Sequence, residues 1–162
     1  MKKILTATAV AAALAAGNVD AAGNDSKTFN VNITLTAACK LGAVTDLAFT
    51  YTAMQAAVAN ATGGGFNVTC TKNLPFTFGL VQGTTGATAP GAATITVTDS
   101  VVALDYTLGL SAAGSNGTGA AQSFSVTGTM AGSQAGQCAS FPPASCDNTG
   151  ATNKTHTLFV NY

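Results

Sequence analysis

The chain has 162 residues, enough for one domain. Six Lys and six Asp are its whole charge, with no Arg, Glu or Trp and a net charge of zero. Charged residues make up 7%, against roughly 25% in an ordinary soluble chain, and no basic cluster exists. Nucleic acid is therefore excluded as a partner, because phosphate binding needs Lys and Arg gathered on one face. One His and no Glu leave little for acid–base catalysis, and no Gly-x-Ser-x-Gly elbow is present, so the chain is not expected to be an enzyme. Ala, Thr, Gly and Val dominate, a mixture poor in helix formers and rich in β and turn formers.

In chain order, residues 1–21 read as a signal peptide. Lys2 and Lys3 are followed by an apolar run from Ile4 to Ala16, too short to span a bilayer. Val19 and Ala21 supply the small residues before a cleavage site. Export makes the four Cys informative, and two disulfides are expected in an oxidising compartment. Of three connectivities, the sequence-local one pairs Cys39 with Cys70 and Cys138 with Cys146. No CxxC pair exists and His156 is far from the Cys residues in sequence, so no metal and no cofactor is expected.

Phe29, Val31, Ile33 and Leu35 alternate without a break with Thr and Asn, the period of a strand with one apolar face. Leu47, Phe49 and Tyr51 continue the pattern. Residues 54–61 are Ala-rich and predict a loop or one or two helical turns. Gly63, Gly64 and Gly65 break the chain, and no Lys-Ser/Thr follows them to hold phosphate. Alternation returns at Phe66, Val68 and Cys70, and at Phe76, Phe78 and Leu80. Short strands follow at Ile95 and Val97, and from Leu104 through Leu110. Residues 111–121 predict a flexible turn. Phe124, Val126 and Met130 predict another strand, with Gly128 as a bulge or close approach. A long loop carries Cys138 and Cys146, and Leu158, Val160 and Tyr162 alternate to the last residue. His156 is expected on the outward face of that strand. The Asn-x-Thr triplets at Asn32, Asn60, Asn67, Asn116 and Asn153 are read as composition rather than glycosylation sites.

Seven or eight short strands at this spacing predict an all-β, immunoglobulin-like antiparallel sandwich. Two features do not suit a self-contained one. The most regular strand begins just after the signal peptide, and the last strand ends flush with the final residue.

Several residue sets together resemble a known family. Phe29, Val31, Ile33 and Leu35 stand ten, eight, six and four residues before Cys39. A Leu47-Ala48-Phe49 strand and a Gly64-to-Cys70 strand follow, then Phe124 to Met130 and an apolar terminal strand ending in Tyr162. The chain resembles subunits of archaic chaperone–usher (Csu-type) pili, which share the spore coat protein U domain. The resemblance covers essentially the whole mature chain, 39–162 as the domain and 22–38 as an N-terminal extension.

It implies a sandwich lacking its last strand, completed by donor-strand exchange with an identical or related subunit. Phe29, Val31, Ile33 and Leu35 would enter the neighbour's groove. Leu158, Val160 and Tyr162 would lie beside the open groove, where a periplasmic chaperone would also dock before an outer-membrane usher exchanged it. The implied product is a fibre on the cell surface, used in adhesion and biofilm formation. An adaptor or tip adhesin, or a spore-coat-type surface binding protein, is the alternative. Self-closure of strand 28–36 onto its own domain is the competing structural reading.

Overall fold

The structure is a computed structural model that describes residues 23–83, 91–138 and 146–162; the expected signal peptide lies outside them. The chain divides into two units, Met1–Thr34 and Leu35–Tyr162. No helix is found among the described residues.

The second unit is an immunoglobulin-like pair of antiparallel sheets. One sheet runs β1 (Cys39–Leu41), β5 (Gly65–Cys70), β10 (Ala121–Met130), β8 (Asp105–Leu110) and β7 (Thr94–Thr98). The other runs β11 (His156–Asn161), β6 (Pro75–Gln82) and β9 (Gly114–Asn116). Short β2 (Leu47–Ala48) and β4 (Thr62–Gly63) pair with each other, and β3 (Ala59–Asn60) pairs with β10.

The alternation read from sequence sets the faces. Phe66, Val68 and Cys70 point inward from β5, and Phe76, Phe78 and Leu80 from β6; all are buried. Phe78 contacts Phe66 and Phe124 edge-on, with ring centroids 5.2 and 4.9 Å apart, so aromatic rings bridge the two sheets. The outward face of β7 and β8 carries short hydroxyls instead, with Thr96 and Thr107 paired at 3.0 Å.

Cys39 lies opposite Cys70 in the β1–β5 ladder, and a disulfide joins them with Cα atoms 4.0 Å apart. Cys138 and Cys146 are also joined, with Cα atoms 5.8 Å apart.

Gly128 makes the close approach expected of it. A Cβ there would lie 2.6 Å from the Phe49 ring and 2.9 Å from the Ala61 methyl. Replacing Gly128 by Ala is therefore expected to cost about 1–3 kcal/mol, read as a lower denaturant midpoint at unchanged slope.

Some local expectations are settled or corrected. Of the two alternatives for the Ala-rich stretch the structure takes the loop, with β3 at its end: Met54 N–H bonds the Gln134 carbonyl and Ser133 N–H the Gln55 carbonyl, so the loop is held by its neighbour in space. The turn 111–121 contains β9, which exists because Gly114 can lie against the backbone of Phe76 and Thr77.

Candidate functional site

β11 pairs with β6, Leu158 opposite Leu80 and Val160 opposite Phe78, and stands at the edge of its sheet. In β6 Phe76, Phe78 and Leu80 are buried while Pro75 and Thr77 are exposed, but every residue of β11 is only half-buried. Leu158 and Val160 reach the core without being enclosed by it. A strand flanked on one side loses both its second ladder and the side chains that would cover it.

Beside β11 lies a groove of about 780 Å³. One wall is the segment 44–49 with β2, and the other is the segment 154–158 leading into β11. Leu80, Tyr106, Leu108, Val126 and Met130 form its floor, all of them core residues. The groove therefore opens directly onto the hydrophobic core. Its charged lining residues are Asp46, Asp99, Asp147 and Lys154, and His156 stands with them.

Asp99 is buried, and its carboxylate is fully engaged. Oδ1 accepts the Val101 and Val102 N–H groups at 2.8 and 2.9 Å, and Oδ2 accepts Asn148 Nδ2 at 2.9 Å. Burial pushes its pKa up, but these donors and the Lys154 charge outweigh it and hold the carboxyl below its usual range. Tyr106 OH pairs with His156 Nε2 at 2.8 Å, with the rings edge-on at 5.8 Å. Burial, with the Asp99 charge, pushes the Tyr106 hydroxyl up to about 12. Burial lowers His156.

His156 corrects the sequence reading. It shares the parity of Leu158 and Val160, so it faces inward rather than to solvent. The signal was present in the spacing: two residues from Leu158 is the same face.

The alternating segment behaves unlike a strand of the fold. Phe29, Val31, Ile33 and Leu35 are 84, 70, 86 and 77% exposed. No described residue from 23 to 38 lies in a strand. The regular pattern predicted a strand, but a strand needs a partner edge, and this segment pairs with none of the described strands. Of the C-terminal residues, Leu158 lines the groove, Val160 packs on the core, and Tyr162 follows the strand with most of its surface exposed.

Among the described residues no group of three His, Cys, Asp or Glu side chains is placed to hold a metal ion. No helix among them is long and apolar enough to cross a membrane.

The model of the Spore Coat Protein U domain matches residues 25–159. The chain belongs to this family. The match takes in both the exposed alternating segment and most of β11. No curated protein and no solved structure matches the chain. Membership of the Spore Coat Protein U domain family implies a surface subunit of the pilus or fimbrial type, a structural rather than an enzymatic role.

Proposed function

We propose that this protein is a polymerising fibre subunit, exported through the periplasm, whose groove is filled by the N-terminal segment of the next copy. The observation that carries the reading is a pairing of opposites. One segment presents four exposed apolar side chains at period two, and an open groove with an apolar floor lies beside the first half of an edge strand. Residues 29–35 span about 20 Å as an extended strand, matching the roughly 17 Å of the six-residue β11. Addition of a strand to an open edge supplies ladder hydrogen bonds from the backbone and specificity from alternate side chains.

Burying Phe29, Val31, Ile33 and Leu35 contributes roughly 6–12 kcal/mol gross. Ordering about ten residues costs roughly 10–20 kcal/mol, which ladder bonds of about 0.5–1.5 kcal/mol each offset in part. The joint then owes its durability to slow release rather than to a large net affinity. A groove opening on the core is also an aggregation hazard, which supports a chaperone that occupies it and an usher that exchanges it. Adhesion and biofilm formation are the uses such a fibre would serve.

The test is assembly in an oxidising periplasm beside the cognate chaperone. Full-length mature chain is expected to give a ladder on an unheated denaturing gel that collapses on boiling. A chain lacking residues 22–36 is expected to give none. A full-length chain that folds alone as a stable monomer and never forms a ladder would leave a self-contained surface binding protein as the better reading.

A further inference from the structure

His156 is the chain's one histidine, and no Glu is present. It is therefore the one side chain whose ordinary pKa, 6.5, puts its change of charge between about pH 5 and pH 8. That residue stands in the wall of the groove. We propose that His156 is a proton-sensitive gate on strand insertion: the groove accepts a strand while the imidazole is neutral and rejects it when the imidazole is charged. The proposal rests on the strand-exchange reading above and adds a regulation to it.

The geometry is the reason. His156 Nε2 is bonded to Tyr106 OH, while Nδ1 is buried with no hydrogen-bond partner among the described residues. With Nε2–H donating to the Tyr106 oxygen, Nδ1 carries only a lone pair. Protonation puts an N–H there and a positive charge with it. The buried carboxylate of the site, Asp99, is already taken by three donors.

The titratable and charged groups facing the imidazole across the groove are few. β8 contributes Tyr106, the β7–β8 turn Asp99, the approach to β2 Asp46, and the segment after β2 Tyr51, whose hydroxyl accepts the Gln134 N–H. The segment before β11 contributes Asp147 and Lys154, the latter bonded to the Thr149 carbonyl at 2.6 Å. Across the ladder on β6 stands Gln82, which is neutral. Asp46 and Asp147 are exposed, so water screens their attraction for the imidazolium. A strand lying over the groove excludes water from His156 and makes its charged form costlier still.

The sign follows. Burial has already lowered His156 below 6.5, so charging it works against the folded groove as pH falls through that value. Filling the groove lowers it further, and by linkage acid must then weaken the filled state.

The experiment uses the mature full-length chain and an acetylated peptide of residues 23–38, which contains no His. Binding is measured at about pH 7.5 and about pH 5, a range over which the peptide's Asp25 and Lys27 hold their charge. The unmodified chain is expected to bind roughly two- to eightfold more weakly at the lower pH, because one pH unit between the open- and filled-groove titrations of His156 gives its full tenfold only below both of them. H156Q is expected to lose that pH ratio. Because the chain has one His, its ring resonances also report the titration directly in the unmodified protein. They are expected to titrate below 6.5, and lower again with peptide bound. Equal binding at both pH values, a ratio retained by H156Q, or a titration unmoved by peptide would each overturn the gate. No binding at either pH would overturn the strand-exchange reading itself, and the gate with it.

Discussion

Replacing Ile33 by Asp is expected to abolish the gel ladder while leaving the subunit's own melting temperature unchanged. Ile33 is 86% exposed, so the substitution removes nothing that the subunit's own core uses. On the strand-exchange reading the same position would enter a groove floored by apolar residues such as Leu108 and Val126. The change loses roughly 1.5–3 kcal/mol of apolar burial and adds several kcal/mol for desolvating a carboxylate. Together these exceed about 4 kcal/mol, or about a thousandfold in occupancy of the groove. Asn32→Asp is the control. Its side chain alternates with the apolar ones and would face solvent in the filled groove, so the ladder is expected to persist. If Ile33→Asp assembled as well as the unmodified chain, the apolar face of the segment would not be what binds.

Removing the Cys39–Cys70 disulfide, by replacing both residues with Ala, is expected to destabilise the subunit by roughly 3–4 kcal/mol. The loop it closes spans 31 residues, and the chain-entropy cost of leaving it open falls in that range. Set against about 5–15 kcal/mol for a whole domain, the loss is large. It should appear as a lower urea midpoint, and a reductant, which opens both disulfides of the unmodified chain, is expected to lower the midpoint further. β1 is an edge strand of three residues with little else to hold it. Thr71 helps locally, its N–H donating to the Ala38 carbonyl and its hydroxyl accepting from Ala38 N–H. A neighbour that grips residues 29–35 pulls on the chain just before Cys39, and the disulfide ties that point to β5, which is paired on both sides. The bond between Cys138 and Cys146 closes a shorter loop, with a sequence separation of 8, and its removal is expected to cost about 2.5 kcal/mol or less.

The two substitutions separate assembly from folding. Ile33 belongs to the segment that the fold leaves exposed, and Cys39 to the first strand of the fold. Only three residues lie between Leu35 and Cys39, so the boundary between the two roles is short.

The amino-acid sequence by itself determined where the longer strands of this fold lie and which face of each is apolar. β5, β6, β8, β10 and β11 all lie where apolar and polar residues alternate. Alternation is local: each side chain's face follows from its neighbour's, so period two is legible without knowing the partner strand. The close approach at Gly128 was legible too, because a glycine inside a strand leaves room for something. What approaches it, Phe49 and Ala61, was not.

Strands defined by their partners were also hidden. β9 is Gly-Ser-Asn and β4 is Thr-Gly, with no apolar rhythm, and they exist because a ladder runs past them. Residues 28–36 are the converse, the most regular rhythm in the chain and no strand in the structure. The tertiary structure alone decided that β11 is an edge, that Leu80, Tyr106, Leu108, Val126 and Met130 floor an open groove, and that His156 meets Tyr106 there. A groove is a property of strand order. It joins residues from 44 to 158 that no local pattern connects, because the space between two sheets exists only once every strand has found its neighbour.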